Sequence, residues 1–392
     1  MNPYNLSRRE LLFAGGGIAV TNLSIPALAN ETPHDKLGKD LIFRTTDPRN
    51  GEPELSNLVK SWVTPTKHFY VRSHAPNPQI DVNKFSLTVE GKVRTPLTLT
   101  MDQLSQLPRH HLTATLTCAG NRRVEFNSEG KVGGVQWAAG PIGNAKWSGF
   151  ALADVLKKAE ILEEARHVWF EGLDEIQRTN AVIPFGGSIP IEKAMITGPI
   201  PGAVLADQMN EQPLSPDHGY PLRTIVPGYV GARSVKWLGK IVVSDKPSPN
   251  HYLAAAYKLV KKTDPIDWTE SGPIYRYPIN GAVATPDAGT VVPAGRLDIS
   301  GYVLPTGLRD SRAQRIEIST DNGINWTVAK TTGQDSAFCW QLWKARVKVT
   351  SRTNSLIMRA FDNSGGFMPQ RVPWNAKGYL QNSWYRLPIT VS

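Results

Sequence analysis

Thr115-Leu116-Thr117-Cys118-Ala119-Gly120-Asn121-Arg122-Arg123 carries more information than any other part of this chain. Leu-Thr-Cys reads as a short strand and Ala-Gly-Asn as a turn, so the thiol is expected at a strand end. Cys118 is one of two cysteines in 392 residues, and two arginines stand just after it. Fixed positive charge beside a thiol favours the thiolate, the form that ligates metals or attacks electrophiles. A lone cysteine is more often a small buried apolar residue. Two guanidinium groups are hard to bury beside an inert thiol, which favours a functional thiolate, either ligand or nucleophile. The other cysteine, Cys339 in Ala337-Phe338-Cys339-Trp340, reads as a core residue. A Cys118–Cys339 disulfide is not expected, because the two fall in different domains.

The N-terminus gives the thiol an address. Ser7-Arg8-Arg9-Glu10-Leu11-Leu12 precedes an apolar stretch from Phe13 to Ile25 and then Pro26-Ala27-Leu28-Ala29. That order predicts a signal peptide over residues 1–29 with cleavage after Ala29. Its paired arginines resemble a twin-arginine signal and predict a periplasmic protein exported in folded form. The apolar stretch is too short to span a bilayer comfortably, and no other run approaches that length, so no membrane span is expected in the mature chain.

From residue 30 to 392 the chain is long enough for two cores. With 33 glycines and 30 prolines, the chain suits a strand-rich, loop-rich fold. A net charge of +10 without any lysine–arginine block gives no nucleic-acid motif, and suits a basic funnel for a small anion at least as well. Between about 60 and 245, strand-like runs (Phe69-Tyr70-Val71, Ser86 to Val89, His167 to Phe170) alternate with a few helical segments. The clearest helix is expected over Phe150–Ala159. Beyond about 275 the period changes to two. Arg315 to Ser319, the turn Asp321-Asn322-Gly323 and Asn325 to Val328 read as a β-hairpin. About seven such strands predict an immunoglobulin-like sandwich.

Cys118-Ala119-Gly120-Asn121-Arg122-Arg123 resembles the signature of the sulfite oxidase family of molybdenum enzymes. Four further blocks follow that family's pattern in register: Phe69 to His74, Phe170-Glu171-Gly172-Leu173-Asp174, Asp217 to Arg223, and Val226 to Trp237. The resemblance covers nearly the whole mature chain. It implies an α+β protein, with a mixed α/β molybdopterin-binding catalytic domain over 30–265. An all-β immunoglobulin-like sandwich over 266–392 would follow, the domain through which the family forms dimers. It also implies a molybdenum–molybdopterin cofactor whose metal is held by a dithiolene and by Cys118, a soft sulfur donor suited to that metal. The implied activity is oxidation of sulfite to sulfate, with two electrons passed to an external acceptor.

Site residues carry over by motif position. The resemblance implies that Arg72 and Arg123 bind the sulfite oxyanion through forked donors. Tyr257 would hydrogen-bond near the reacting oxygen and Trp137 would line the pocket. Tyr70, Val71, Arg72, Ser73, His74, Asp174, His218, Arg223, Ser234, Val235 and Lys236 match pterin and phosphate contacts. Taken alone, Tyr257 reads as a surface aromatic, Trp137 as core, Arg72 as an exposed ion-pair partner and Arg122 as an ion-pairing residue. Two departures stand out. Trp374-Asn375-Ala376-Lys377-Gly378 has lysine where eukaryotic relatives have arginine, so the charge at Lys377 stays and the fork is lost. No Cys-x-x-Cys-His haem attachment sequence occurs, and no haem domain is expected before residue 60, so the electrons are expected to go to a separate c-type cytochrome. The alternative from the same superfamily is a periplasmic reductase acting on methionine sulfoxide or another S- or N-oxide. From another class, a binding module without metal would share the fold.

Overall fold

The computed structural model describes residues 40–261, 267 and 271–392. The expected signal peptide and the expected domain junction at 265/266 lie outside the described residues. Two five-stranded sheets build the first part. In one, Gly186–Pro190, His167–Gly172, Leu238–Ser244, Leu87–Gly91 and Leu97–Leu99 lie side by side, with only Leu238–Ser244 and Leu87–Gly91 parallel. In the other, Val204–Met209 and Arg109–Thr117 flank Ile142–Ala151, while Gln212–Pro213 and Arg223–Ile225 both pair with Val204–Met209. His167–Gly172 alternates half-buried and buried residues, the period of a sheet with one covered face.

The expected helix forms, two residues late. Phe150 and Ala151 pair with Leu205 and Val204 in the sheet, and the helix occupies Leu152–Ala159. Strand pairing outweighs the helical spacing of those two residues, because it satisfies their backbone groups and buries Phe150 at the same time. Asp154 in the first turn and Lys157 and Lys158 in the last complement the helix dipole. Apolar faces of this helix and of the first sheet meet in one core around Leu152, Val155, Leu156, Val168, Phe170 and Ile241. The strand expected at Phe69-Tyr70-Val71 is reduced to Val71–Arg72, which pairs with Asn50 and Gly51, and Thr66–His68 is a 3-10 turn.

The second part is the expected sandwich. One sheet orders Asn280–Thr285, Gly295–Leu304, Gln341–Val349 and Lys330–Thr332; the other orders Thr327–Val328, Ala313–Ser319, Ser355–Asp362 and Tyr385–Pro388. The hairpin lies where the turn residues put it, with Glu317 opposite Val328. Asn322 and Gly323 both have positive φ (59° and 90°), the backbone that Asn-Gly adopts most readily. The two parts share a core: Ala119, Ile142, Val230 and Tyr257 from the first pack in one cluster with Tyr302, Trp340 and Tyr379 from the second.

Candidate active site

Strand Arg109–Thr117 delivers Cys118 to its end, as expected. The Cys118 amide donates to Pro141 O (2.9 Å), the Gly120 amide to the thiol sulfur (3.4 Å), and the Asn121 amide to Cys118 O (2.9 Å). This turn fixes the sulfur on the wall of a cavity of about 60 Å³. Cys118 keeps 8% of its surface, and it is a free thiol, as is the buried Cys339.

The same cavity is lined by Tyr70, Arg72, Ser73, His74, Asp174, His218, Arg223, Ser234, Lys236 and Tyr257. These come from five separate stretches of the chain. The Arg72 guanidinium lies 2.7 Å from His74 Nε2, and also donates to Asn50 Oδ1 (3.1 Å) and to the Ser73 carbonyl. The Tyr257 hydroxyl lies 3.2 Å from the same His74 nitrogen. Burial and the charges of Arg72 and Lys236 hold His74 well below the usual histidine range, so it is neutral. Since Arg72 can only donate, His74 Nε2 is the acceptor and the ring proton sits on Nδ1. The Tyr257 proton then also points at His74, and burial keeps that phenol protonated.

Two further cations, Arg223 and Lys236, line the cavity. Arg223 donates to His218 O (2.8 Å) and Ser234 O (3.1 Å); Lys236 donates to Ser73 Oγ (2.8 Å) and Asp217 O (2.9 Å). Burial, reinforced by Arg223, pushes Lys236 down to about 7. Burial alone pushes Arg223 down to about 10, and burial pushes His218 down to about 3. Burial raises the Asp174 carboxyl, against the bond it accepts from the Phe185 amide (2.9 Å). Asp174 Oδ2 and His218 Nε2 are buried on this cavity without a hydrogen-bond partner.

Five expected residues do not line the cavity. Val71 and Val235 are buried, Val235 among apolar core residues. Trp137 is fully buried in the core cluster that contains Cys118. Arg123 is tied into the wall: Nε donates to Lys377 O (2.9 Å), Nη1 to Val135 O (2.8 Å), and the guanidinium lies over the Tyr379 ring at 5.1 Å. Its charge still reaches His74 and Tyr257. The Lys377 ammonium is half-buried and held below the usual lysine range by burial, Arg123 and Arg178. Arg122 turns away from the thiol altogether. With φ at +65° and no exposed surface, it pairs bidentately with Glu125 (2.7 Å each), donates to Asn280 Oδ1 (2.9 Å) and lies over the Tyr385 ring. The cationic pair adjacent in sequence is thus split in role: Arg122 is the ion-pairing residue its own reading gave, Arg123 is held in the wall, and Arg72 lines the cavity beside His74.

Several residues were not singled out by the sequence. Phe185 stacks on His74 (4.6 Å, 24°) and lines the cavity, yet nothing local marks it. Asn50 accepts from both the Ser73 amide (3.0 Å) and Arg72, a role set by strand pairing. Tyr379 stacks on Tyr257 (5.2 Å, 12°) while its other contact is Arg123. Its place two residues beyond Lys377 was the available signal. Among the described residues, no group of three or more His, Cys, Asp or Glu side chains could hold a metal ion.

Family models match two segments: the oxidoreductase molybdopterin binding domain over residues 74–252 and the Mo-co oxidoreductase dimerisation domain over residues 271–392. The mitochondrial sulfite oxidase of Rattus norvegicus is 38% identical over 90% of this chain, which spans 66% of that protein's length. The sulfite oxidase of Arabidopsis thaliana is 36% identical over 88% of this chain and 93% of its own length. Among solved structures, the sulfane dehydrogenase SoxCD from Paracoccus pantotrophus covers 94% of this chain and 95% of its own at a TM-score of 0.75, with 22% identity, a likeness of fold alone. Identity at that level along nearly the full length of the plant protein, on a fold split as the two family models split it, shows that the chain belongs to the sulfite oxidase family.

Proposed function

We propose that the chain is a periplasmic, twin-arginine-exported sulfite dehydrogenase that oxidises sulfite to sulfate and passes two electrons to a separate c-type cytochrome. It carries a molybdenum–molybdopterin cofactor and no haem, and works as a homodimer through its sandwich. The observation that carries the reading is one cavity lined by the Cys118 thiol, by the cations Arg72, Arg223 and Lys236, and by the unpartnered Asp174 Oδ2 and His218 Nε2.

The residues fit that cofactor. An unpartnered Asp174 oxygen can accept from pterin N–H groups, and the unpartnered His218 Nε2 with Arg223 and Lys236 can surround a phosphate. Cations forced towards neutrality by burial regain their charge when an anion joins them. Cys118 would be the one protein ligand to the metal. When bound, the cofactor supplies the two-electron redox step. Around it, Arg72 binds the substrate oxyanion and Tyr257 presents a fixed hydroxyl, both oriented by the neutral His74. Arg123 and Lys377 add positive field from the wall, and Trp137 and Val235 pack behind the site.

Steady-state kinetics on the purified, metal-loaded protein test the reading, with sulfite as donor and ferricyanide or cytochrome c as acceptor. Sulfite-dependent reduction with about one molybdenum per chain is expected. Turnover of methionine sulfoxide without turnover of sulfite would overturn it in favour of the reductase, and a metal-free protein would favour a binding module.

A further inference from the structure

A second concentration of positive charge lies away from the active site, where residues 193–202 of the first part meet Arg276, residues 307–309 and Phe338 of the second. Lys193, Arg276 and Arg309 line a cavity of about 130 Å³ there, and no acidic side chain is among its lining residues. That volume exceeds what one water requires roughly tenfold. Apolar surface from Ile196, Leu308 and Phe338 forms the rest of the wall.

The three cations have no carboxylate partner among the described residues. Lys193 donates to Pro227 O (2.9 Å) and sits against the faces of Tyr229 (5.3 Å) and Phe338 (5.1 Å). Arg309 donates to Ile200 O (3.4 Å), and Arg276 lies over the Tyr229 ring at 5.9 Å. The neighbouring Glu192 acts on Tyr229 and His167 instead. Burial, then Arg276 and Arg309, push Lys193 down to about 8, which records their mutual repulsion. Carbonyls and ring faces satisfy directions of hydrogen bonding but do not neutralise charge. Lys193 is part-buried while Arg276 and Arg309 are exposed, so the repulsion falls chiefly on Lys193, and an anion in the space they line would relieve it.

We propose that this seam cavity is an anion site that takes a small tetrahedral oxyanion of the sulfate or phosphate class, and that the bound anion clips the two domains together. The lysine ammonium and the two forked guanidinium groups are the donors such an ion needs. The site is independent of the catalytic reading, because none of its residues lines the cavity of Cys118.

The test is the melting midpoint of the metal-loaded full chain in sodium sulfate or sodium phosphate, against sodium chloride at equal ionic strength. At about 100 times the dissociation constant the midpoint should rise by roughly 3–6 °C. Arg309→Gln, at an exposed position, should abolish the rise, and Lys193→Gln should do the same. Arg72→Gln, which weakens any oxyanion binding in the active site, should leave the rise in place. A rise with either anion that Arg309→Gln removes and Arg72→Gln keeps supports the proposal, and the larger of the two rises tells sulfate from phosphate. No rise with either anion, or a rise unchanged in Arg309→Gln, overturns it.

Discussion

At the residue scale, the site depends on which charged groups line the cavity and which are held in its wall. Arg72 lines the cavity, whereas Arg123 spends two of its nitrogens on carbonyls in the wall. Arg72→Gln is therefore expected to raise the Michaelis constant for sulfite roughly 10- to 100-fold, the loss of one charge-assisted interaction of about 1.5–3 kcal/mol. An unchanged constant in steady-state kinetics would remove Arg72 from substrate binding. Cys118→Ser should lower turnover below detection while leaving the circular dichroism spectrum and melting midpoint of the metal-free protein unchanged, because the side chain differs by one atom in a turn held by backbone bonds. The thiol and Arg72 were legible in the sequence. So was the ion-pairing role of Arg122, whereas the Val135 and Lys377 carbonyls that hold Arg123 in the wall were not, since only folding brings them together.

At the scale of elements, the loop around residues 374–384 packs against the turn that carries Cys118 and against Tyr257. Leu380 N donates to Ala119 O (2.8 Å), Lys377 O holds Arg123, and Asn375 exchanges two bonds of 2.9 Å with the Tyr379 backbone. That clamp places the Tyr379 ring between Arg123 and Tyr257, where it acts as a positioning residue. Tyr379→Leu should remove the stacking of about 0.5–1.5 kcal/mol and raise the Michaelis constant for sulfite more than it lowers turnover. Tyr379→Phe keeps the ring and should restore the constant. Equal losses in both variants, read from the same kinetics, would point to the hydroxyl instead. The loop's Trp-Asn-x-Lys-Gly pattern was visible, and so was the departure at Lys377. What the loop packs on was not, because its partners Ala119, Arg123 and Tyr257 lie more than 100 residues earlier.

For the whole molecule, the ion pair of Arg122 with Glu125 anchors the first domain to the sandwich through Asn280 and the Tyr385 ring. Glu125→Leu leaves a buried guanidinium unpaired and should cost roughly 3–5 kcal/mol of stability, read by denaturant unfolding. A second global test concerns the cations that line the cavity. Lys236 sits near 7 in the folded chain against 10.5 for an ordinary lysine, so between those values the unfolded chain binds a proton that the folded chain lacks. Stability of the cofactor-free protein should therefore rise with pH across about 7 to 10.5 and be lost as pH falls through that window. The loaded protein should lack this slope if the phosphate proposed beside Lys236 is there to restore its charge. Parallel melting curves for both forms across the window would refute the phosphate assignment.

The sequence by itself determined the strand-then-turn at Cys118, the switch to period-two strands beyond residue 275, the Asn-Gly hairpin and the family blocks. Each of these is a local pattern, fixed by side-chain period or by the backbone a residue can adopt. Tertiary structure decided the rest: where the helix after Phe150 begins, which cations face the cavity, and that Phe185, Asn50 and Tyr379 belong to the site. These are contacts between segments remote in sequence, and strand pairing, burial and charge neutralisation settle them only once the chain has folded.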